Sequence, residues 1–75
     1  MESELEKLAR YVLDGRETVA AQKQRIAAIK ARGQDATAAE RLLSQFERIL
    51  AIFEADFDGL RGKDASDQKA NASLN

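Results

Sequence analysis

The chain has 75 residues, a formal net charge of −1, 33% charged residues, and neither cysteine nor histidine. A chain of this length supports one small domain at most, and without Cys and His it cannot form disulfides, zinc-finger sites or the common nucleophile–base pairs. We therefore expect no catalytic residue, no metal site and no cofactor. Near-neutrality gives no general attraction to nucleic acid or to a membrane surface. The acidic start and the lack of a long apolar run predict a soluble cytoplasmic protein.

The first predicted element is a helix over about residues 4–32. Ser3 and Glu6 have the spacing of a capping box, in which the Ser3 hydroxyl accepts a hydrogen bond from the Glu6 amide. Apolar residues then recur at heptad spacing, which is typical of a helix with one buried stripe. Gly33 is suited to the left-handed conformation that commonly ends a helix.

A second helix is predicted over about residues 37–61, after a turn at about 33–36. Either Asp35 or the capping-box sequence Thr37-Ala-Ala-Glu40 can begin it, so two starting points about one turn apart remain open. The last segment, residues 63–75, has no apolar periodicity. We therefore predict a disordered tail after a hairpin domain of residues 3–62.

A turn this short makes the two helices antiparallel neighbours and predicts an all-α, coiled-coil-like hairpin. If the turn centres on Gln34, residues that meet across the seam between the helices have numbers that add to about 68. The predicted seam consists of Leu8, Val12, Gly15, Val19, Gln22, Ile26 and Ile29 from the first helix and Leu42, Phe46, Ile49, Phe53 and Leu60 from the second.

Three seam positions are unusual for a helix interface. Gly15 falls opposite Phe53, and we interpret it as space for the ring rather than as a tolerated defect. Gln22 needs a hydrogen-bond partner if it is buried, either a second Gln22 in a dimer or a backbone carbonyl. Asp56 falls opposite Val12, but a small rotation of the second helix would expose Asp56 and bring Phe57 into its place.

The second helix carries more apolar residues than one partner helix can cover. We assign four of them to a dimer interface: Leu43, Leu50, Ile52 and Phe57. Each large side chain left in water forgoes roughly 1.5–3 kcal/mol of burial free energy. The sequence therefore favours a homodimer of hairpins, which is a four-helix bundle, over a monomer with an exposed apolar flank.

Two sets of charged residues are candidates for a functional site. Glu40, Glu47 and Glu54 recur every seven residues, but carboxylate metal sites in helical bundles also use histidine, so we interpret them as a solvated row. Lys23, Arg25, Lys30 and Arg32 form the candidate anion-binding face near the turn. They lack interleaved aromatic residues, which makes nucleic acid the weaker alternative.

One set of positions carries a resemblance to a known family. The set is Leu8-Ala9, Val12, Gly15, Val19, Gln22, Ile26, Ile29, Gly33, Asp35, Leu42-Leu43, Phe46, Leu50, Asp56 and Leu60. It resembles a family of very small proteins of rhizobia and related α-proteobacteria that have no assigned activity. Members often have a histidine after the turn glycine, where this chain has Gln34. The resemblance implies a hairpin in a bacterial cytoplasm and supplies no substrate.

These observations together predict a non-enzymatic protein–protein interaction module. It would act as a homodimeric helical bundle whose surface or tail engages another protein. The alternative is a nucleic-acid-binding bundle of the ROP type that uses the basic residues near the turn.

Overall fold

The computed structural model describes the backbone of residues 1–74 and the side chains of residues 1–63. It contains two α-helices, α1 (Glu4–Ala31) and α2 (Thr37–Leu74), which pack against each other as an antiparallel hairpin. The all-α hairpin is confirmed, and α1 ends one residue before its predicted end. α2 is longer than the predicted 37–61. The predicted disordered tail, residues 63–75, falls almost entirely outside the residues whose side chains are described, and it stays a prediction.

Both ends of α1 follow from residues that the sequence analysis singled out. Ser3 is the N-cap, and its Oγ accepts a hydrogen bond from the Glu6 amide at 3.1 Å. At the other end the Gln34 amide donates to the Ile29 carbonyl and the Gly33 amide to the Lys30 carbonyl. This pair of bonds is a Schellman motif, which requires a left-handed residue after the helix. Gly33 supplies it with φ +71°.

The start of α2 settles the choice between the two predicted caps in favour of Asp35. Its Oδ1 accepts hydrogen bonds from both the amide and the hydroxyl of Thr37, at 3.0 and 2.6 Å. The hydrogen bond from the Thr37 hydroxyl has the larger effect and the one from the Thr37 amide the smaller, and together they hold the pKa of the Asp35 carboxyl below its usual value. Thr37 is therefore already inside the helix, and the Thr37–Glu40 capping box does not form. Ala36, which lies between Asp35 and Thr37, is buried, with 5% of its surface exposed.

The core between the helices is thin because only two elements contribute to it. In the part of the chain whose side chains are described, the buried apolar residues are Val12, Val19, Ile26 and Ala36. The half-buried residues of α2 are Ala39, Leu43, Phe46, Leu50, Phe53, Glu54, Phe57 and Leu60. Apart from Glu54, they are spaced alternately by four and three residues, so they form one stripe directed at α1.

This stripe corrects the predicted seam. Leu42 and Ile49, which were assigned to the seam, are exposed, whereas Leu43, Leu50 and Phe57, which were assigned to a dimer interface, are half-buried on the side of α1. Gly15 meets Leu50 rather than Phe53: a Cβ at position 15 would lie 2.9 Å from Leu50 Cδ1.

The physical reason for the rotation of α2 is the residue pair Asp56 and Phe57. The predicted stripe would direct the Asp56 carboxylate at Val12, and burying an unpaired charge is costly. A small rotation exposes Asp56 and turns Phe57 inward, where it lies beside Val12 in one groove. The space at Gly15 is used as expected, but by a leucine.

Candidate interaction surface

The hairpin has two broad faces, one on each side of the plane through its helices. The Arg16 face borders a groove lined by Ala9, Val12, Leu13, Arg16, Glu54, Phe57, Asp58 and Arg61. The Ile49 face borders a groove lined by Tyr11, Asp14, Gly15, Thr18, Phe46, Ile49, Leu50 and Phe53. The two linings differ in chemistry, since the first contains two arginines and two acids, whereas the second contains one acid and no basic residue.

Ion pairs between the helices bridge the Arg16 side of the hairpin. Arg16 Nη2 lies 3.0 Å from Glu54 Oε2, and Lys30 Nζ lies 3.5 Å from Glu40 Oε1. Lys23 lies seven residues from both Arg16 and Lys30, and Glu47 lies seven from both Glu40 and Glu54. The three cations and three acids therefore run in register along an antiparallel pair of helices. Glu40 and Glu47 of the row predicted to be solvated are exposed, and Glu54 is half-buried beside α1.

The Ile49 face carries a row of exposed apolar side chains on α2. Ile49 is 50% exposed, and Leu42, which lies two turns earlier on the same side of α2, is 37% exposed. Ile52 lies one turn after Ile49 and is 55% exposed. Ile52 was assigned to a dimer interface, and this structure leaves it uncovered. The exposed row therefore consists of Leu42, Ile49 and Ile52.

Aromatic residues border this row on the side of α1. The Tyr11 and Phe53 rings are tilted by 39° with centroids 5.3 Å apart, and this contact joins the two helices near the open end of the hairpin. Both residues are half-buried, as is Phe46. Ile49 lines one groove with Tyr11, Phe46 and Phe53, and exposed apolar patches of this kind mark interaction sites.

Gln22 is the one buried polar residue in the described part of the chain, 3% exposed. Its Nε2 donates to the Ala39 carbonyl oxygen across the interface at 2.9 Å. Of the two predicted partners, the backbone carbonyl is therefore the one that the chain uses. The bond ties the middle of α1 to the first turns of α2, so Gln22 has a structural role within a single hairpin.

The four basic residues of the predicted anion-binding face do not share a face. An α-helix turns by about 100° per residue, so Lys23 and Arg25 project about 160° apart. Lys30 shares the side of Lys23 and already pairs with Glu40, whereas Arg32 caps the end of α1. Cations that are divided between opposite sides of α1 cannot all contact one continuous row of phosphates.

Within the described residues, no group of three or more acidic side chains is placed to hold a metal ion. Neither helix contains a stretch long and apolar enough to cross a membrane, as far as the described residues show. Neither a protein-family model, nor a curated protein, nor a solved structure matches this chain.

Proposed function

We propose that this chain is a non-enzymatic protein–protein interaction module that works as a homodimer of hairpins. The observation that carries the proposal is the exposed row Leu42, Ile49 and Ile52 beside the Tyr11–Phe53 pair. Full burial of one such aliphatic side chain stabilises by roughly 1.5–3 kcal/mol. The hairpin has only a thin core, so these residues represent a large share of the free energy available to the fold.

The size of the face fits a stable homodimer. α1 has 28 residues and is about 42 Å long, and two helices side by side are about 20 Å wide. One such face covers about 800 Å² per copy, which is the usual area that each partner contributes to a specific interface. A second hairpin supplies an apolar row of the same length and completes a four-helix bundle.

The absence of histidine and cysteine from the sequence supports the non-enzymatic part of the proposal. Catalysis would have to rely on exposed carboxylates, lysines and one tyrosine. Tyr11 packs on Phe53, and several acids are paired with arginine or lysine across or along the helices. These contacts are structural, and general acid–base catalysis is most often carried out by histidine, which this sequence lacks.

The mass of the particle in solution tests the proposal. Sedimentation equilibrium between about 1 and 100 µM should give twice the 8.3 kDa chain mass at the upper concentrations, with dissociation to the monomer on dilution. Circular dichroism on the same samples should show helix content falling as the dimer dissociates, because short helices with little packing are marginal in water. A monomer that stays fully helical at 100 µM would contradict the proposal.

A further inference from the structure

The charge of the hairpin is polarised along its length. Residues 19–48, which form the end with the turn, contain six cations and three acids, a net charge of +3. The open end consists of residues 1–18 and 49–63 and contains five cations and eight acidic side chains, a net charge of −3. The described hairpin is neutral overall in side-chain charge, so this separation is an internal dipole.

We propose that the second copy lies antiparallel on the Ile49 face, so that the turn end of each hairpin covers the open end of its partner. This inference rests on the proposed homodimer and adds its orientation and its face. In a parallel dimer the two +3 ends would lie side by side, as would the two −3 ends. In the antiparallel dimer each positive end lies beside a negative end.

The Ile49 face is better suited to this contact than the Arg16 face. On the Arg16 face the cations and acids already neutralise each other within one chain, as in the Arg16–Glu54 and Lys30–Glu40 pairs. On the Ile49 side, Arg25 lies two turns from Thr18 towards the turn, and Tyr11 and Asp14 lie towards the open end. If the two-fold axis that relates the antiparallel copies passes near Thr18, Arg25 lies beside the open end of the partner. There the acid Asp14 and the aromatic ring of Tyr11 can bind a guanidinium group.

Charge complementarity of this kind sets orientation more than affinity. Single exposed ion pairs are worth at most about 1 kcal/mol. Opposite ends of the hairpin are about 40 Å apart, several times the Debye length of about 8 Å at physiological salt. Each end therefore responds mainly to the partner's end that lies against it, and several weak terms of the same sign add.

Spin labels on single cysteines give the orientation directly, because the natural chain has no cysteine and each label is unique. One variant of the full chain, Gln34→Cys, carries the label in the exposed turn. The second, Ala20→Cys, carries it at an exposed position near the middle of α1, where helical periodicity directs it to the side of Leu13 and away from the proposed contact. Dipolar spectroscopy then measures the distance between the two labels of a dimer.

The antiparallel dimer predicts a distance of about 40 Å or more for Gln34→Cys and about 20–30 Å for Ala20→Cys, from the length and diameter of the helices. A distance of about 20–30 Å or less for Gln34→Cys as well as for Ala20→Cys would show a parallel dimer. That result would overturn the orientation while keeping the homodimer. If neither variant gives a distance and both sediment as monomers, the proposed homodimer itself fails.

Discussion

At the scale of single residues, local backbone signals were sufficient to place both ends of α1. The Ser3 cap and the left-handed Gly33 depend on side chains and dihedral angles within one turn, so the sequence contains all the relevant information. The start of α2 was not decided by the sequence, because Asp35 and Thr37 both have capping side chains. In the structure Thr37 donates both its amide and its hydroxyl to Asp35, so Asp35 is the residue whose side chain caps the helix.

Glycines at two positions give a paired test of the turn. Gly33→Ala should lower the free energy of unfolding by about 1 kcal/mol, because an L-residue at φ +71° is strained although nothing lies within 4 Å of the added Cβ. Gly59→Ala, which also has open space around it but lies within a helix, should instead stabilise by up to about 1 kcal/mol. Urea unfolding at fixed protein concentration measures both.

The opposite signs separate backbone strain from a general effect of alanine. Equal stabilisation by both substitutions would show that Gly33 does not need its left-handed conformation, and the Schellman ending of α1 would then be wrong.

At the scale of the helices, the sequence predicted the antiparallel pairing correctly but not the rotation of α2. Leu42 and Leu43, and likewise Ile49 and Leu50, are adjacent apolar residues, so two stripes about 100° apart fit the same heptad. Only the neighbours Asp56 and Phe57 distinguish the two stripes strongly, because one stripe directs the carboxylate at α1 and the other directs the ring at α1. The half-buried Phe57 and the exposed Asp56 show that the second stripe, with Phe57 directed at α1, is the one that the chain uses.

The ion pairs between the helices were missed, although the sequence holds a signal for them. Arg16, Lys23 and Lys30 share one heptad position, and so do Glu54, Glu47 and Glu40. In an antiparallel hairpin the members of these two sets face each other in a fixed order. Each set alone is typical of a solvated row or an anion-binding face, and the pairing follows only when the two helices are aligned antiparallel.

A double-mutant cycle tests the corrected rotation of α2. Gly15→Leu should destabilise by roughly 1–3 kcal/mol, because the new side chain collides with Leu50. Combining Gly15→Leu with Leu50→Ala should recover part of that loss and give a coupling free energy of about 0.5–3 kcal/mol, as expected for residues in contact. Thermal and urea unfolding at one protein concentration provide the four free energies.

The matched control is the same cycle with Phe53→Ala, the partner that the original register assigned to Gly15. Phe53 borders the same groove and stacks on Tyr11, so its coupling to position 15 should be the smaller of the two. A larger coupling to Phe53 than to Leu50 would restore the original seam.

At the scale of the whole molecule, the sequence indicated a dimer but assigned most of its interface to residues that pack within one chain. Leu43, Leu50 and Phe57 contribute to the hairpin itself, whereas Leu42, Ile49 and Ile52 remain exposed. The number of apolar residues in α2 correctly predicted a surplus that α1 alone does not cover. Which members of the surplus face outward depends on the rotation of α2, and that rotation depends on contacts with α1.

The most direct test of the homodimer is a pair of substitutions at similarly exposed apolar positions on opposite faces. Ile49 is 50% exposed on the Ile49 face, and Leu13 is 59% exposed on the Arg16 face. Ile49→Glu places a charge in the proposed interface and should weaken dimerisation by at least tenfold in sedimentation equilibrium, since a buried unpaired charge is costly. Leu13→Glu, with the same change of side chain, should leave the dimerisation constant within about twofold. A dimer that tolerates Ile49→Glu but dissociates with Leu13→Glu would place the interface on the Arg16 face and contradict this account.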